Sequence, residues 1–343
     1  MGRFSSLLVS CPGAYANSGA GTGGLVCLHD GEATVVDRMD SMGLAGHRGN
    51  VYRFVRSMHM IIGYDQSGLR SIINLPEARD IHDILVDDKQ IVAVSTGEND
   101  VLWLDLLGNL VDKWHGEGEG DAWHLNCLAT RDGRMYVSAF GEFPTHRAWS
   151  GNARNQGFVM DLETKEKILT GLSAPHTPRY VGEDLYICES HKQMVTVRDK
   201  HGNVREHKFD GFTRGFAWDD KYFYVGESAD RKAEVVLDYS HVTVVDRETF
   251  ATVERFRVPF TEIYDLLIIE PALAAHMASA PDVFALALED ERIDRLEKSL
   301  QINSEMVAGL RAQLREAHKP GYLFTRLGRF LRRLRADAGN RKG

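Results

Sequence analysis

No run in the 343 residues approaches the ~20 consecutive apolar residues of a membrane-spanning helix. The four cysteines, Cys11, Cys27, Cys127 and Cys188, are far apart and form no CxxC pair. That spacing points to neither a disulfide framework nor a zinc knuckle, and a reducing cytosol is the expected home. HExxH, GxSxG and Walker-type glycine loops are all missing, so the compact signatures of zinc proteases, α/β-hydrolases and P-loop nucleotide enzymes are excluded. Leu8-Val9-Ser10-Cys11 behind Arg3 has the shape of a lipoprotein cleavage box. The apolar run before it is too short for a signal h-region of ~7–15 residues, and the segment reads as a strand. Met1-Gly2 followed by Ser6 matches a myristoylation pattern of low information.

What the chain does have is a phrase repeated with variations: IHDILVDDKQIVAVS from Ile81, WHLNCLATRDGRMYVSA from Trp123, PHTPRYVGEDLYICES from Pro175 and TRGFAWDDKYFYVGES from Thr213. Each copy is a polar head, an apolar run, a turn rich in Asp, Gly or Lys, and a second β-prone run. Such a unit cannot bury its apolar face alone, and all-β units at a period of ~40–50 residues stack as propeller blades. Polar heads recur from His47, His82, His124, His176, Thr213 and Tyr264, which makes six starts. The last start, YDLLII, lacks a following hairpin, and the N-terminal strands SLLVSC, GGLVCLHDG and EATVVDRMDS lack an inner strand before them. Pairing the two ends closes the ring and removes exposed sheet edges. The expected fold is therefore all-β: a six-bladed β-propeller over residues 1–271, closed by N- and C-terminal strands.

Beyond it the reading is a linker at 272–284, a coiled-coil helix at 285–318 and a basic amphipathic tail at 319–343. Leu286, Ile293, Leu296, Leu300, Asn303, Val307, Leu310, Leu314 and Ala317 step by threes and fours, with one position missed at Glu289, as a coiled-coil seam does. A homo-oligomer is the expected consequence, with docking on the propeller wall as the other use of the stripe. In the tail, Arg326, Arg329, Arg332 and Arg333 surround an apolar side that carries Phe330. Eight Lys/Arg and one Asp from Lys319 onward give +7 in a chain of net −8, so residues 1–318 carry −15. An acidic body with a cationic amphipathic tail suits the anionic inner face of a membrane, with a protein groove as rival and nucleic acid disfavoured.

Propeller ligands bind where inner strands begin, so the polar heads should converge on the axis. Ligand-binding candidates are His47, Asp83, Asn126, Arg179 and Arg214, with Trp149 on the long insertion Gly141 to Gln156 as part of a lid. A second long insertion runs from Ala229 to His241. His82, His124 and His176 are candidate ligands for a divalent metal. The same histidines with Tyr264 and Asp265 are candidate catalytic groups for a metal- or histidine-dependent lyase, hydrolase or transferase. Against both stands interblade hydrogen bonding, which buried polar groups require in any case. A second polar tier, Ser95/Glu98, Ser138/Glu142, Glu189/Ser190 and Glu227/Ser228, offers carboxylates for a cation or for Arg179 and Arg214, and reads more simply as interblade salt bridges.

Residues Pro175 to Arg179, Gly211 to Gly215 and Glu262 to Asp265 carry the chain's versions of PHSPR-, GFxRG- and ELYD-like motifs. Over about residues 45–271 the chain resembles an uncharacterised bacterial propeller family of unknown function, with Thr177 where that family favours Ser. The resemblance implies the propeller fold and an association with glycosyltransferases and surface-polysaccharide genes. The expected function is accordingly a non-catalytic propeller that binds a glycan or glycolipid intermediate, or a glycosyltransferase partner, in the cytoplasm at the inner membrane face. A funnel enzyme is the alternative, and an inert-funnel interaction scaffold the third reading.

Overall fold

In the computed structural model the described residues are 3–13, 23–75, 78, 80–229, 238–281, 284, 301 and 304–311. Among them six four-stranded antiparallel sheets form the blades of a propeller. The inner strands are Ser41–His47, Ile81–Val86, Leu125–Arg131, Pro175–Val181, Phe212–Trp218 and Asp265–Ile268. The last pairs with Leu7–Cys11, Ser10 lying opposite Asp265, and Gly24–His29 and Glu32–Asp37 complete that blade. The expected closure from both chain ends is what the structure contains.

Blades form because the second and third strands of each unit are nearly continuous runs of buried β-branched and aromatic residues. Ile91–Ser95, Asp184–Glu189 and Tyr222–Ser228 are examples. Outer strands such as Leu110–His115 and Val204–Lys208 are largely exposed. The core lies between neighbouring blades: Phe54 and Ile61 of one blade pack with Ile84, Ala93 and Leu102 of the next.

The inner strands share an irregularity. In five of them the pairing register shifts one to three residues from the start, at Ser41/Leu44, Ile81/Asp83, Leu125/Leu128, His176/Arg179 and Thr213/Phe216. Such a bulge frees backbone N–H groups from the ladder and re-aims side chains. In three of the five, an N–H at the bulge is bound by a side chain of the preceding blade. Leu128 N donates to Asp83 Oδ2 at 2.8 Å, Leu44 N to Asp265 Oδ2 at 3.2 Å and Gly215 N to Thr177 Oγ1 at 3.1 Å. Two glycines make room for these approaches. A Cβ on Gly43 would stand 2.6 Å from the Asp83 Cα, and Gly215 adopts φ +73 with its Cβ position 3.1 Å from the Asp265 Cα.

Arg179 joins this ring across the axis. Its Nη2 donates to both oxygens of Asp265 at 3.2 and 3.3 Å, and its Nη1 to the carbonyls of Leu128 and Pro178 at 3.0 Å. Between the closing blade and its neighbour, Arg53, fully buried, donates to Asp37 and Ser41.

Residues expected to be a linker include a helix, Pro271–Ser279, packed on the closing blade. Leu273, Ala274 and Met277 are buried, Cys27 Sγ donates to the Ala274 carbonyl, and His276 meets the Gln66 carbonyl at 2.6 Å. Three apolar side chains on one side of so short a segment hold it by tertiary contact, not by propensity. The compact unit ends at Ala287. Of the expected coiled coil, residues 304–311 are helical, with Met306, Val307 and Leu310 exposed. The other seam positions, and Arg326, Arg329, Phe330, Arg332 and Arg333, lie outside the described residues. No helix among the described residues is long and apolar enough to cross a membrane.

Removing one partner of a buried charged network strands the other, so Asp265→Ala should cost about 3–5 kcal/mol in urea unfolding. His47→Ala, which loses a pair with half-exposed Asp88, should cost no more than about 1 kcal/mol. Equal costs for the two variants would remove Asp265 from its keystone role.

Candidate functional site

Met42, His82, Asn126, His176 and Arg214, at the inner-strand register shifts, and Tyr264, just before the closing inner strand, occupy equivalent places in the six blades. All but Asn126 line a cavity of about 410 Å³ at one mouth of the axis. Two residues upstream of each is a second set, Asp80, His124 and Glu262 among them, which line the same cavity. Asp80, His124 and Ala174 share left-handed backbone, with φ of 53, 51 and 52°. Non-glycine residues seldom adopt it, and it turns His124 out of the strand direction toward the axis.

The cavity wall is aromatic. The His82 ring stands edge-on to His124 at 5.1 Å and to Tyr264 at 5.6 Å. Phe140 lies 4.3 Å from His124 and 5.5 Å from His176. Trp149 comes from the expected lid, whose backbone is fixed on Asp121: Arg147 N and Trp149 Nε1 both donate to the Asp121 carbonyl, at 2.8 and 3.0 Å. The Trp149 ring reaches 4.1 Å from His124, and Arg147 sits over its other face at 5.2 Å. In the second insertion, residues 230–237 lie outside the described residues.

Hydrogen-bond partners assign the imidazole tautomers. Asn126 spends its Nδ2 protons on the carbonyls of His124 and Pro175, so its Oδ1 accepts from His82 Nδ1 at 3.1 Å. Asp121 Oδ1 accepts from His124 Nδ1 at 2.8 Å, and the Ala174 carbonyl accepts from His176 Nδ1 at 2.9 Å. All three rings therefore carry the proton on Nδ1 and leave Nε2 as an acceptor. Ser190 lies 2.9 Å from His176 Nδ1, but that nitrogen bears a proton and Ser190 Oγ gives its own to the Thr213 carbonyl. Ser190 is thus not an activated nucleophile.

Burial pushes His124 down to about 4, against the opposing pull of Asp121, and holds His176 well below the ordinary imidazole value with help from Arg214. Burial also raises the Tyr264 phenol well above its usual range, with the Cys127 thiol 3.7 Å from its oxygen. Buried atoms of this cavity's lining without a hydrogen-bond partner include His82 Nε2 and Arg214 Nε. His82 Nε2 stands 3.4 Å from Asp80 Oδ2 without hydrogen-bond geometry, while Arg214 Nη1 is paired with Glu262. Both atoms are closed off by their surroundings, while their side chains line the cavity.

Of the expected site residues, His82, His124, His176, Arg214, Tyr264 and Trp149 come together. His47 does not: it follows the bulge, at the turn end of its strand, and meets Asp88 at 2.7 Å. Asn126 is fully buried behind His82. Asp83, Asp265 and Arg179 form the interblade ring, and Arg179 lines a separate cavity of about 340 Å³ among Leu44, Leu128 and Phe216. Burial raises both Asp83 and Asp265, opposed by Arg179. Asp80, Asp121, Phe140 and Glu262 belong to the site but not to the expected set. Asp80 and Glu262 were findable by their offset of two from His82 and Tyr264; Asp121 carries no such signal.

The second polar tier is structural. Glu189 accepts from Ser173 N and Thr196 Oγ1, and Glu227 from Asp210 N and Gly211 N, so neither reaches Arg179 or Arg214. Ser190 and Ser228 reach the Thr213 and Ile263 carbonyls of the next blade. Among the described residues no three His, Cys, Asp or Glu side chains are grouped to hold a metal ion.

Fold and site together define a six-bladed propeller with a polar, histidine-lined axial funnel. Residues 44–277 match a family described as a domain of unknown function, DUF4915, and the chain belongs to that family. No curated protein matches the sequence. Among solved structures, a chain of a nidogen/laminin complex aligns at TM-score 0.57 and 12% identity, over 78% of this chain and 99% of its own. A protein of unknown function from Bacteroides caccae aligns at 0.55 and 12%, over 76% and 97%. A calcium-binding protein, regucalcin, from Agrobacterium tumefaciens aligns at 0.50 and 14%, over 67% and 78%. At these identities the likeness is one of fold.

Because folded His124 takes up its proton near pH 4 and the unfolded chain near 6.5, the unfolded state binds more protons between those values. The stability tied to a neutral His124 is complete above pH 6.5 and is lost as pH falls toward 4, by roughly 3 kcal/mol. His124→Gln should flatten that part of the urea-derived stability profile; an unchanged slope would remove His124 from the buried, neutral state.

Proposed function

We propose that this chain is a binding propeller whose axial funnel receives a polyhydroxylated small molecule, a glycan or glycolipid intermediate, and holds it without transforming it. The observation that carries the reading is a cavity lined by His82, His124 and His176 with Asp80 and Arg214, in which His82 Nε2 and Arg214 Nε have no hydrogen-bond partner. A sugar hydroxyl donates and accepts at once, so one ligand can satisfy both. Trp149 and Phe140 supply apolar surface for the C–H face of a ring, and a cavity of about 410 Å³ is of small-molecule size. Three imidazole acceptors favour a ligand rich in donors over a bare anion.

One observation favours an enzyme as the second reading. Asp121 orients His124 with Nε2 free to accept, and His124 stays unprotonated at neutral pH, which is the arrangement of a general base. Tyr264, held protonated, would be its acid. In that reading incubation with the bound sugar yields a product that His124→Gln does not make; in the binding reading the sugar is recovered unchanged.

The role at the inner membrane face, self-association and a glycosyltransferase-type partner rest on the seam, the basic tail and the family resemblance. Deleting residues 319–343 should abolish cosedimentation with anionic vesicles, and retained binding would refute the tail's part.

For the funnel, calorimetric titration of a panel of neutral sugars should find a binder that weakens about tenfold or more with His82→Phe, which keeps the ring and removes the acceptor. Trp149→Ala should weaken it as well. Affinity unchanged by both variants, or no binder in the panel, would contradict the proposal.

A further inference from the structure

Beside the funnel runs a second concavity of about 840 Å³. Arg154, Lys192, Lys208 and His191 line it, and no Asp or Glu does. That is contrary to the chain as a whole, with 49 acidic against 41 basic residues. It is contrary to the funnel too, where Asp80, Asp121 and Glu262 face Arg56, Arg147 and Arg214.

The cations are available and one is held in place. Among the described residues neither Arg154 nor Lys208 has an ion-pair partner, and both are exposed. Lys192 is positioned by Glu189 at 2.8 Å, a carboxylate buried behind it and already accepting from Ser173 N and Thr196. Arg154 belongs to the same insertion as Trp149, so one loop serves both concavities.

The two share one wall residue, His191, which lines both. Its ring stands 6.3 Å from Phe140 on the funnel side and 6.3 Å from Phe212 on the groove side. His191 is thus the side chain that separates Phe140 from Phe212.

We propose that this groove is the anionic subsite of the funnel's ligand and takes a phosphate or pyrophosphate group attached to the polyhydroxylated moiety. The proposal rests on the funnel reading for its sugar and on the groove alone for its phosphate. A planar guanidinium and two ammonium groups around an acid-free concavity recognise a multiply charged, oxygen-rich anion by charge-assisted hydrogen bonds. An uncharged glycan would leave them unused.

The test is calorimetric titration of the full chain with inorganic pyrophosphate at physiological salt, for wild type, Arg154→Ala/Lys208→Ala and His82→Phe. The basic tail is present in all three, so its contribution cancels. The double variant, altered only at exposed positions, should lose about tenfold or more in affinity. His82→Phe should bind pyrophosphate as wild type does while losing the neutral sugar, so failure of the groove and failure of the funnel are told apart. Uridine diphosphate and geranyl pyrophosphate, titrated in the same way, separate a nucleotide from a lipid as the carrier of the phosphate. The one whose affinity falls in the double variant is the carrier. The proposal is overturned if the double variant binds pyrophosphate as wild type does, or if affinity for neither carrier falls.

Discussion

Everything in this propeller depends on the bulge near the start of five of its six inner strands. A regular strand there would pair all its backbone groups within its own blade and leave the blades joined by apolar contact alone. The bulge releases an N–H, and a side chain of the preceding blade takes it: Asp83 for Leu128, Asp265 for Leu44, Thr177 for Gly215. These bonds cross blade boundaries, where apolar packing is directionless, so they set the register of one blade against the next. Arg179, bound to Asp265 and to the Leu128 carbonyl, ties blades on opposite sides of the axis.

The same backbone irregularity creates the site. Asp83, Thr177 and Asp265 reach the neighbouring blade, while the residues just before them, His82, His176 and Tyr264, line the axial cavity. One set of residues therefore seals the channel while the adjacent set, His82, His176, Arg214 and Tyr264, opens toward solvent as a funnel. Behind the funnel, Asn126, Asp121 and the Ala174 carbonyl fix each imidazole proton on Nδ1. Burial keeps His124 neutral against the pull of Asp121, and burial together with Arg214 keeps His176 neutral. What results is a set of fixed acceptors, prepared before any ligand arrives.

Blades, ring closure and a histidine-lined mouth were legible because the apolar halves of the phrase alternate clearly and His82, His124 and His176 recur at its heads. The misreadings have a physical origin. In the blade at residues 41–74 the head is Ser41-Met42-Gly43, which has no polar signature, so the nearby turn at His47 was taken in its place. Asp83 was read as a ligand group and Asp265 as a catalytic one because adjacent strand residues face opposite ways, and sequence alone does not say which of His82 and Asp83 meets the axis. Asp121 enters the site through a loop whose path only tertiary packing determines. The helix Pro271–Ser279 is too short for periodicity to reveal and is held by Leu273 and Met277 on the closing blade.

The central claim is that the interblade network dictates an array of Nε2 acceptors in the funnel. Long-range ¹⁵N–¹H correlation of the histidine rings at neutral pH tests it directly. The network requires His82, His124 and His176 each to carry the proton on Nδ1, with Nε2 unprotonated. An Nε2–H tautomer at His82 or His124, or a His124 ring that titrates at the ordinary imidazole value, would contradict it.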